Sequence, residues 1–301
     1  MHIIKNRRLY YFLPTILVAF SLIAVLVYGL KGGVDLTGGS LLEVSYAENR
    51  PTQEEVVDAV HRLPLGEIRV QATGENSYLL RMRDIGDADK LALLEALTIN
   101  GNQAKEEQFT TIGPTIGKEL RTKAWYAMAL VLLAIIAYIA FAFRKVSLPV
   151  QSWKYGVIAI ITLVHDIILP VGLFAILGHF VGAEVDSLFI VGLLTILGIS
   201  INDTIVVFDR VRENLKVNLE KGKKEDFEIT VGHSITQTIA RSINTSLTVI
   251  VVLVCLYFMG PDTTKNFALT LIVGMVAGTY SSIFLASPLL VTWERFSKRK
   301  A

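Results

Sequence analysis

Apolar residues run in six long blocks along the 301-residue chain, at about 10–30, 124–143, 155–178, 187–208, 243–259 and 267–290. A bilayer core of ~30 Å takes about 20 apolar residues of helix, so each block predicts a transmembrane span. Together the blocks are too long and too apolar to be core helices of a soluble protein of this size. The first follows the basic start Lys5, Arg7 and Arg8, as a secretory signal would. It is long for a signal core, and Gly29-Leu30-Lys31-Gly32-Gly33 lacks the small-x-small cleavage pattern. It reads as an uncleaved anchor.

Between the first two blocks the pattern changes. Leu42, Val44 and Tyr46 alternate with polar residues, as a half-buried strand requires. Thr52 and Glu55 have capping-box spacing, and Val56, Val57, Val60 and Leu63 follow with a helical period. Ile68, Val70 and Ala72 alternate again, Gly74-Glu75-Asn76 predicts a turn, and Tyr78, Leu80 and Met82 predict the next strand. Asp87 is placed to cap a second helix with Leu91, Leu94 and Leu97 inward, and a weaker strand covers about 104–112. The order βαββαβ is the ferredoxin-like arrangement. The predicted fold is therefore a polytopic α-helical membrane protein with six transmembrane helices and one α/β domain between helices 1 and 2. The expected divisions are 1–30, 31–122 and 123–301. The insert has no cysteine cluster, phosphate-binding glycine loop or catalytic triad, so it reads as a binding or mechanical module and the protein as no enzyme.

Segment 209–241 is read as a cytoplasmic loop with amphipathic character. Phe227, Val231, Ile235 and Ile239 recur every four residues and are read as having charges between, which suits a helix on the membrane surface or against a partner. A solvated loop helix is the alternative.

Charge orients the spans. If the N-terminus is cytoplasmic, the inner segments 1–8, 144–154, 209–241 and 294–301 carry 3, 3, 7 and 4 basic residues. The opposite loops near 178–186 and 260–266 carry none and one, Lys265. The bias of Lys and Arg to the inside predicts both termini cytoplasmic and residues 31–122 extracytoplasmic. The insert is acidic: residues 31–120 hold 9 basic and 15 acidic side chains. The whole chain carries only +2, which gives no global sign of nucleic-acid binding. Hydrophobic residues make up 52% and charged residues 19%, with a mean hydropathy of +0.51, which excludes a disordered or coiled-coil chain. One cysteine, Cys255, rules out an intramolecular disulfide and a cysteine zinc site.

Ionisable groups inside a bilayer are costly and point to function by default. Asp203 follows Asn202 in the fourth span, ~24 Å along a helix entering from outside near residue 187. Arg241 opens the fifth block at a similar depth, with Asn244 and Thr245 expected on its face. A carboxylate and a guanidinium at matched depth can pair, or exchange partners as a proton comes and goes; a static ion pair or an interfacial snorkel is the alternative. His165-Asp166 lies near the middle of the third span, ahead of Pro170, whose missing N–H frees the Asp166 carbonyl. It reads as a second proton-handling element or as helix-to-helix hydrogen bonding. No second ligand lies at metal-binding spacing on that helix, so no metal is expected. Thr195, Asn202 and Asp209 share one stripe, and Asp203 and Arg210 another. Asp209 and Arg210 sit where the helix leaves the membrane, as a gate or as a solvated end. Gly274 and Gly278, continued by Ser281, mark a close-packing face.

These residues resemble the SecD/SecF protein-export family, on its SecF side. The run from Gly198 through Ser200, Asn202, Asp203 and Thr204 to Asp209-Arg210 resembles the family's fourth helix. His165-Asp166 is similar to its third-helix motif, and Arg241-Ser242-Ile243-Asn244-Thr245-Ser246 to its fifth. Gly33-Val34-Asp35-Leu36-Thr37-Gly38-Gly39 resembles the glycine motif after its first helix, and Gly113-Pro114-x-x-Gly117 the exit from its outer domain. Leu36 departs from an aromatic residue usual in the family. The resemblance implies a member of the resistance-nodulation-division superfamily in the bacterial cytoplasmic membrane. It implies partnership with SecD, the SecYEG channel and often YajC, and use of the proton motive force in late steps of protein export. No cofactor is implied; the coupling ion is a proton, with sodium as the alternative. Asp203, Arg241, His165 and Asp166 would form the ion relay. Asn202, Thr204, Asp209, Arg210, Asn244 and Thr245 would support it, and Gly33, Asp35, Gly38 and Gly39 would form the hinge of the outer domain. The partners further implied are an unfolded polypeptide in transit and membrane lipid. Half of a lipid or small-molecule exporter of the same superfamily is the competing reading, against which stands the single small insert. An intramembrane aspartyl protease would need motifs that are absent, and a structural scaffold without transport is the reading that failure of Asp203→Asn to alter export would favour.

Overall fold

The protein, described by a computed structural model, is seen over residues 2–47, 50–142, 151–223 and 225–300. The basic inner loop expected at 144–154 lies mostly outside the described residues, as does Lys224. In chain order the elements are α1 (His2–Lys5), α2 (Arg7–Tyr28), α3 (Val34–Thr37), β1 (Gly39–Tyr46), α4 (Gln53–His61), β2 (Arg69–Thr73), β3 (Ser77–Met82), α5 (Asp87–Ala96) and β4 (Ala104–Ile112). Then follow α6 (Pro114–Ala142), α7 (Ser152–Phe180), α8 (Ser187–Glu220), α9 (Phe227–Met259), α10 (Asp262–Ser281), a π-helical turn (Ser282–Ala286) and α11 (Ser287–Lys300).

Six of the helical spans among the described residues are long and apolar enough to cross a membrane. Two compact units result. One comprises residues 1–31, 127–183 and 188–301; the other comprises 32–126 together with 184–187. The second runs over 32–126, where an insert was expected at 31–122, and takes in a four-residue segment far away in sequence.

The sheet unit has strand order β2-β3-β1-β4 with every neighbouring pair antiparallel. With α4 and α5 in the crossovers this is the expected ferredoxin-like βαββαβ fold. Register places Leu42 opposite Leu80 and Val44 opposite Tyr78, so one face of the sheet becomes a continuous apolar layer. Val56 and Val60 of α4 and Leu93 and Leu97 close over it, and all four are buried. The Thr52–Glu55 capping box forms as the spacing predicts. In the second helix Leu97 is buried and Leu94 packs against the core as expected, but Leu91 is 64% exposed and Leu93 points inward in its place. Asp87 is the first helical residue and not the cap, a place taken by Gly86 without a side-chain bond. Ala72 is exposed because β2 is an edge strand with a partner on one side only.

In the helical unit α2 packs on α7, and α10 packs on both α7 and α9. Leu163, Leu197, Phe208, Val231, Ile235 and Leu290 meet in its core. Outward positions of α2 and α6, such as Phe20, Ile23, Leu130 and Leu133, are apolar and exposed, as a lipid-facing surface requires. The predicted loop at 209–241 is corrected. α8 continues unbroken to Glu220, and α9 begins at Phe227, capped by Asp226. The apolar period of Phe227, Val231, Ile235 and Ile239 is the first half of α9, and it packs into the core and not onto a membrane surface. Two long helices joined by a short turn can bury that stripe against each other, which a separate surface helix could not.

Candidate functional site

Two of the buried carboxylates of the helical unit, Asp166 and Asp203, meet α8 one turn apart, the first through Ser200 and the second as a residue of α8 itself. Asp166, on α7, is fully buried. Its Oδ1 accepts from His165 Nδ1 at 2.8 Å, and its Oδ2 accepts from Ser281 Oγ of α10 at 2.8 Å. Ser200 of α8 also donates to Oδ2. Three helices therefore converge on one carboxylate. His165 is buried as well, and its Nε2 has no hydrogen-bond partner among the described residues. α7 continues past Pro170 as one helix.

The approach of α10 follows from the small residues the sequence analysis singled out. A methyl group on Gly274 would stand 2.2 Å from Ile196 Cδ1, and one on Gly278 would stand 3.0 Å from Ser200 Cβ. Only at that spacing does Ser281 reach Asp166. The π-helical turn begins at the next residue, Ser282. Such turns insert an extra residue and often accompany functional sites. Nothing in the sequence pattern signalled it.

Asp203 is one turn further along α8 than Ser200 and is 6% exposed. Ser246 Oγ of α9 donates to its Oδ2 at 3.2 Å. Among the described residues no ion pair joins Asp203 to Arg241, contrary to the pairing the matched depths suggested. The reason is rotational. Five residues separate Arg241 from Ser246, which is about 140° around a helix of 3.6 residues per turn. With Ser242 and Ser246 inward, Arg241 is on the exposed side. Asn244 and Thr245 share that outward side, and the Thr245 hydroxyl donates to the Arg241 carbonyl at 2.8 Å. Thr204 is fully buried beside Asp203, and Asn202 is exposed.

Arg241 lines a cleft of about 630 Å³ with Asp209, Arg210 and Gln237. Arg210 donates to Gln237 at 2.6 Å and to Glu213 at 2.6 Å, and Asp209 pairs with Arg212 at 3.2 Å. The cleft thus gathers the residues expected at the helix exit with Arg241, while Asp203 belongs to the interior. The sequence reading missed Ser200, Ser246 and Ser281 as the donors to the carboxylates. Their one signal was spacing: Gly274, Gly278 and Ser281 on one small-residue face, and Ser242 and Ser246 four apart.

The glycine motif has its own geometry in the sheet unit. Gly38 has φ +81°, and a methyl there would stand 2.6 Å from Pro114 Cα. A methyl on Gly117 would stand 2.6 Å from Gly38 N. The two glycine motifs therefore press backbone to backbone where the chain enters and leaves the sheet domain. Gly39 passes equally close to Met82 O, and Gly33 N–H donates to Val185 O at 2.8 Å.

The fold and these buried groups define a multi-pass helical membrane protein with one ferredoxin-like insert and ionisable side chains enclosed among its spans. Its residues 93–296 match the family model described as protein export membrane protein SecD/SecF, C-terminal. The chain belongs to the SecD/SecF family. It is 41% identical to a protein translocase subunit SecF from Thermobaculum terrenum, over 97% of this chain and 93% of that one. It is 35% identical to the protein translocase subunit SecDF of Bacillus subtilis, over 96% of this chain and 38% of that one. Among solved structures it is similar to SecDF from Thermus thermophilus, described as translocon-associated, with a TM-score of 0.84 at 30% identity, covering 98% of this chain. It spans 39% of that SecDF chain.

Proposed function

We propose that this protein is a non-enzymatic auxiliary subunit of the Sec protein translocase that works with a SecD subunit and draws on the proton motive force in late steps of export. The fused SecDF relatives, of which this chain spans less than half, support a SecD partner. SecYEG and YajC are the further partners of this reading, and an unfolded polypeptide in transit is the cargo. Both termini are cytoplasmic and residues 31–122 extracytoplasmic.

The observation that carries the reading is Asp203, a carboxylate to which one serine hydroxyl donates among the described residues, with Arg241 in a cleft that α8 and α9 both line. A carboxylate with so few fixed partners is able to exchange a proton, or bind sodium, without dismantling an ion pair. Asp166, fastened by three donors, is the firmer of the two groups and holds α7, α8 and α10 together around the exchange. One charge moved through 100 mV supplies about 2.3 kcal/mol. That biases a two-state bundle by roughly fifty-fold at about 1.4 kcal/mol per decade. It suffices to rectify the drift of an unfolded chain and not to unfold a stable domain.

The test is accumulation of secretory precursors in cells depleted of the protein and complemented with wild type or Asp203→Asn. Wild type clears the precursors, and the variant at equal membrane level does not. Equal clearance by both would make Asp203 structural and remove the ion-driven mechanism.

A further inference from the structure

Lys154, in the first turn of α7, is only 7% exposed. Its ammonium carries three N–H donors. One of them reaches Ser297 Oγ, near the end of α11, at 2.8 Å. Among the described residues no ion pair joins Lys154 to a carboxylate. Glu294, the buried carboxylate one turn before Ser297 on α11, lies by Tyr155. The helix ends do not supply the missing charge, because the first turn of α7 and the last turn of α11 contribute roughly half a charge each, of opposite sign. A buried cation whose one partner is neutral is costly, so the site calls for an anion with oxygen acceptors.

The surroundings put that anion in the headgroup layer. Tyr155, the next residue, opens the apolar stretch of α7. Trp153 is 52% exposed and meets Trp293 of α11 edge to face at 5.3 Å. Tryptophans collect at the boundary between membrane and water. Phe296, also on α11, is exposed. At the same end of the helical unit Arg7 and Arg295 share the carboxylate of Glu228, which leaves one positive charge in excess. Lys298, Arg299 and Lys300 follow Ser297 in the sequence. Basic pockets between membrane helices suit anionic headgroups.

We propose that Lys154 and the Ser297 hydroxyl bind the phosphate of an anionic phospholipid, in the leaflet that meets the start of α7 and the end of α11. The two remaining N–H groups of the ammonium and the serine O–H are donors for phosphate oxygens. Trp153 and Phe296 offer apolar surface to the upper part of the acyl chains. Phosphatidylcholine carries a cation of its own beside its phosphate, so a headgroup with net negative charge is preferred. The site needs only the membrane-spanning fold and is independent of the ion-driven export reading.

Tryptophan quenching in the full chain tests it, with Trp125→Phe so that only Trp153 and Trp293 emit. The protein is reconstituted in phosphatidylcholine containing a small fraction of brominated phosphatidylglycerol or of brominated phosphatidylcholine. The anionic lipid quenches with an apparent affinity at least about fivefold higher, the factor expected for one lysine at a lipid surface. Lys154→Gln removes the difference. Arg8→Gln, at an exposed position near the same end, keeps most of it. Should Lys154→Gln not reach the membrane, Ser297→Asp gives the ammonium a counter-charge within the chain and removes the preference in the same way. Inorganic phosphate in the buffer, at matched ionic strength, leaves the quenching unchanged. Equal quenching by the two lipids, or a preference that survives Lys154→Gln or Ser297→Asp, would overturn the site. An equal loss in Arg8→Gln would reduce it to diffuse surface charge, and displacement by inorganic phosphate would give it to a free anion; either result overturns the lipid assignment.

Discussion

The Ser246 hydroxyl donates to the Asp203 carboxylate at 3.2 Å, from α9 to α8 inside the helical unit. Arg241, the obvious partner by depth, lines a cleft with Asp209 and Arg210 of α8 and makes no ion pair with Asp203 among the described residues. Ser246→Ala removes the one side-chain donor described for Asp203. Hydrogen bonds between membrane helices are worth about 0.6–2 kcal/mol. Thermal unfolding in detergent is expected to show a loss of that size, with a smaller export defect than Asp203→Asn produces. A loss no larger than that of the exposed control Thr248→Ala would make the contact incidental.

The seat of Gly274 against Ile196 brings α10 close enough for Ser281 to reach Asp166. Gly274→Ala places a methyl 2.2 Å from Ile196 Cδ1. Overpacking of this kind costs about 1–3 kcal/mol. Adding Ile196→Ala makes room and is expected to recover part of the loss. A double variant that is less stable than the sum of its singles would show that the helices do not meet at this point.

At Gly38 the backbone conformation and the space both require glycine. Its φ of +81° is unfavourable for a side chain, and Pro114 Cα blocks the Cβ position at 2.6 Å. Gly38→Ala therefore costs more than the ~1–2 kcal/mol of a left-handed alanine alone. Protease resistance of the sheet domain in the detergent-solubilised protein reports it: Gly38→Ala is cut faster, and Gly66→Ala, also at positive φ (+79°) but with open space around it, is cut much less so.

Tyr46 is buried in the sheet unit, where its hydroxyl donates to the Leu97 carbonyl at 3.0 Å. Burial, with Tyr78 nearby, pushes its pKa from 10 up to about 12. The folded state thus holds the proton more tightly than the unfolded chain does. The stabilisation is complete below pH 10 and drains away between pH 10 and about 12. Tyrosinate absorbance of Tyr46→Phe is expected to lose one late-titrating component relative to wild type. Tyr46→Phe itself costs about 1 kcal/mol for the lost hydrogen bond. A full tyrosinate titration near pH 10 would contradict the burial.

Much of the architecture could be read from one-dimensional pattern. The six apolar blocks, the βαββαβ order, the Thr52–Glu55 cap and the Gly274–Gly278–Ser281 face all rest on local periodicity, and local periodicity is written along the chain. Errors arose where rotation or continuation mattered. Leu91 and Leu93 both fit an apolar helix face, and only the sheet beneath selects Leu93. The stripe at Phe227, Val231, Ile235 and Ile239 was legible as amphipathic, but not as the start of a 33-residue helix buried against its neighbours.

The sequence alone determined which side chains are costly in a membrane. Asp166, Asp203 and Arg241 stand out against apolar surroundings, because charge and hydropathy belong to single residues. Only the tertiary structure decided who meets whom. Asp166 finds Ser200 and Ser281 on two other helices, and Asp203 finds Ser246 in place of Arg241. Residues 184–187 join a domain whose other residues end nearly sixty positions earlier. Each is a contact across a long stretch of chain, set by how the helices turn about their axes and how closely glycines let them approach, and no local pattern encodes either.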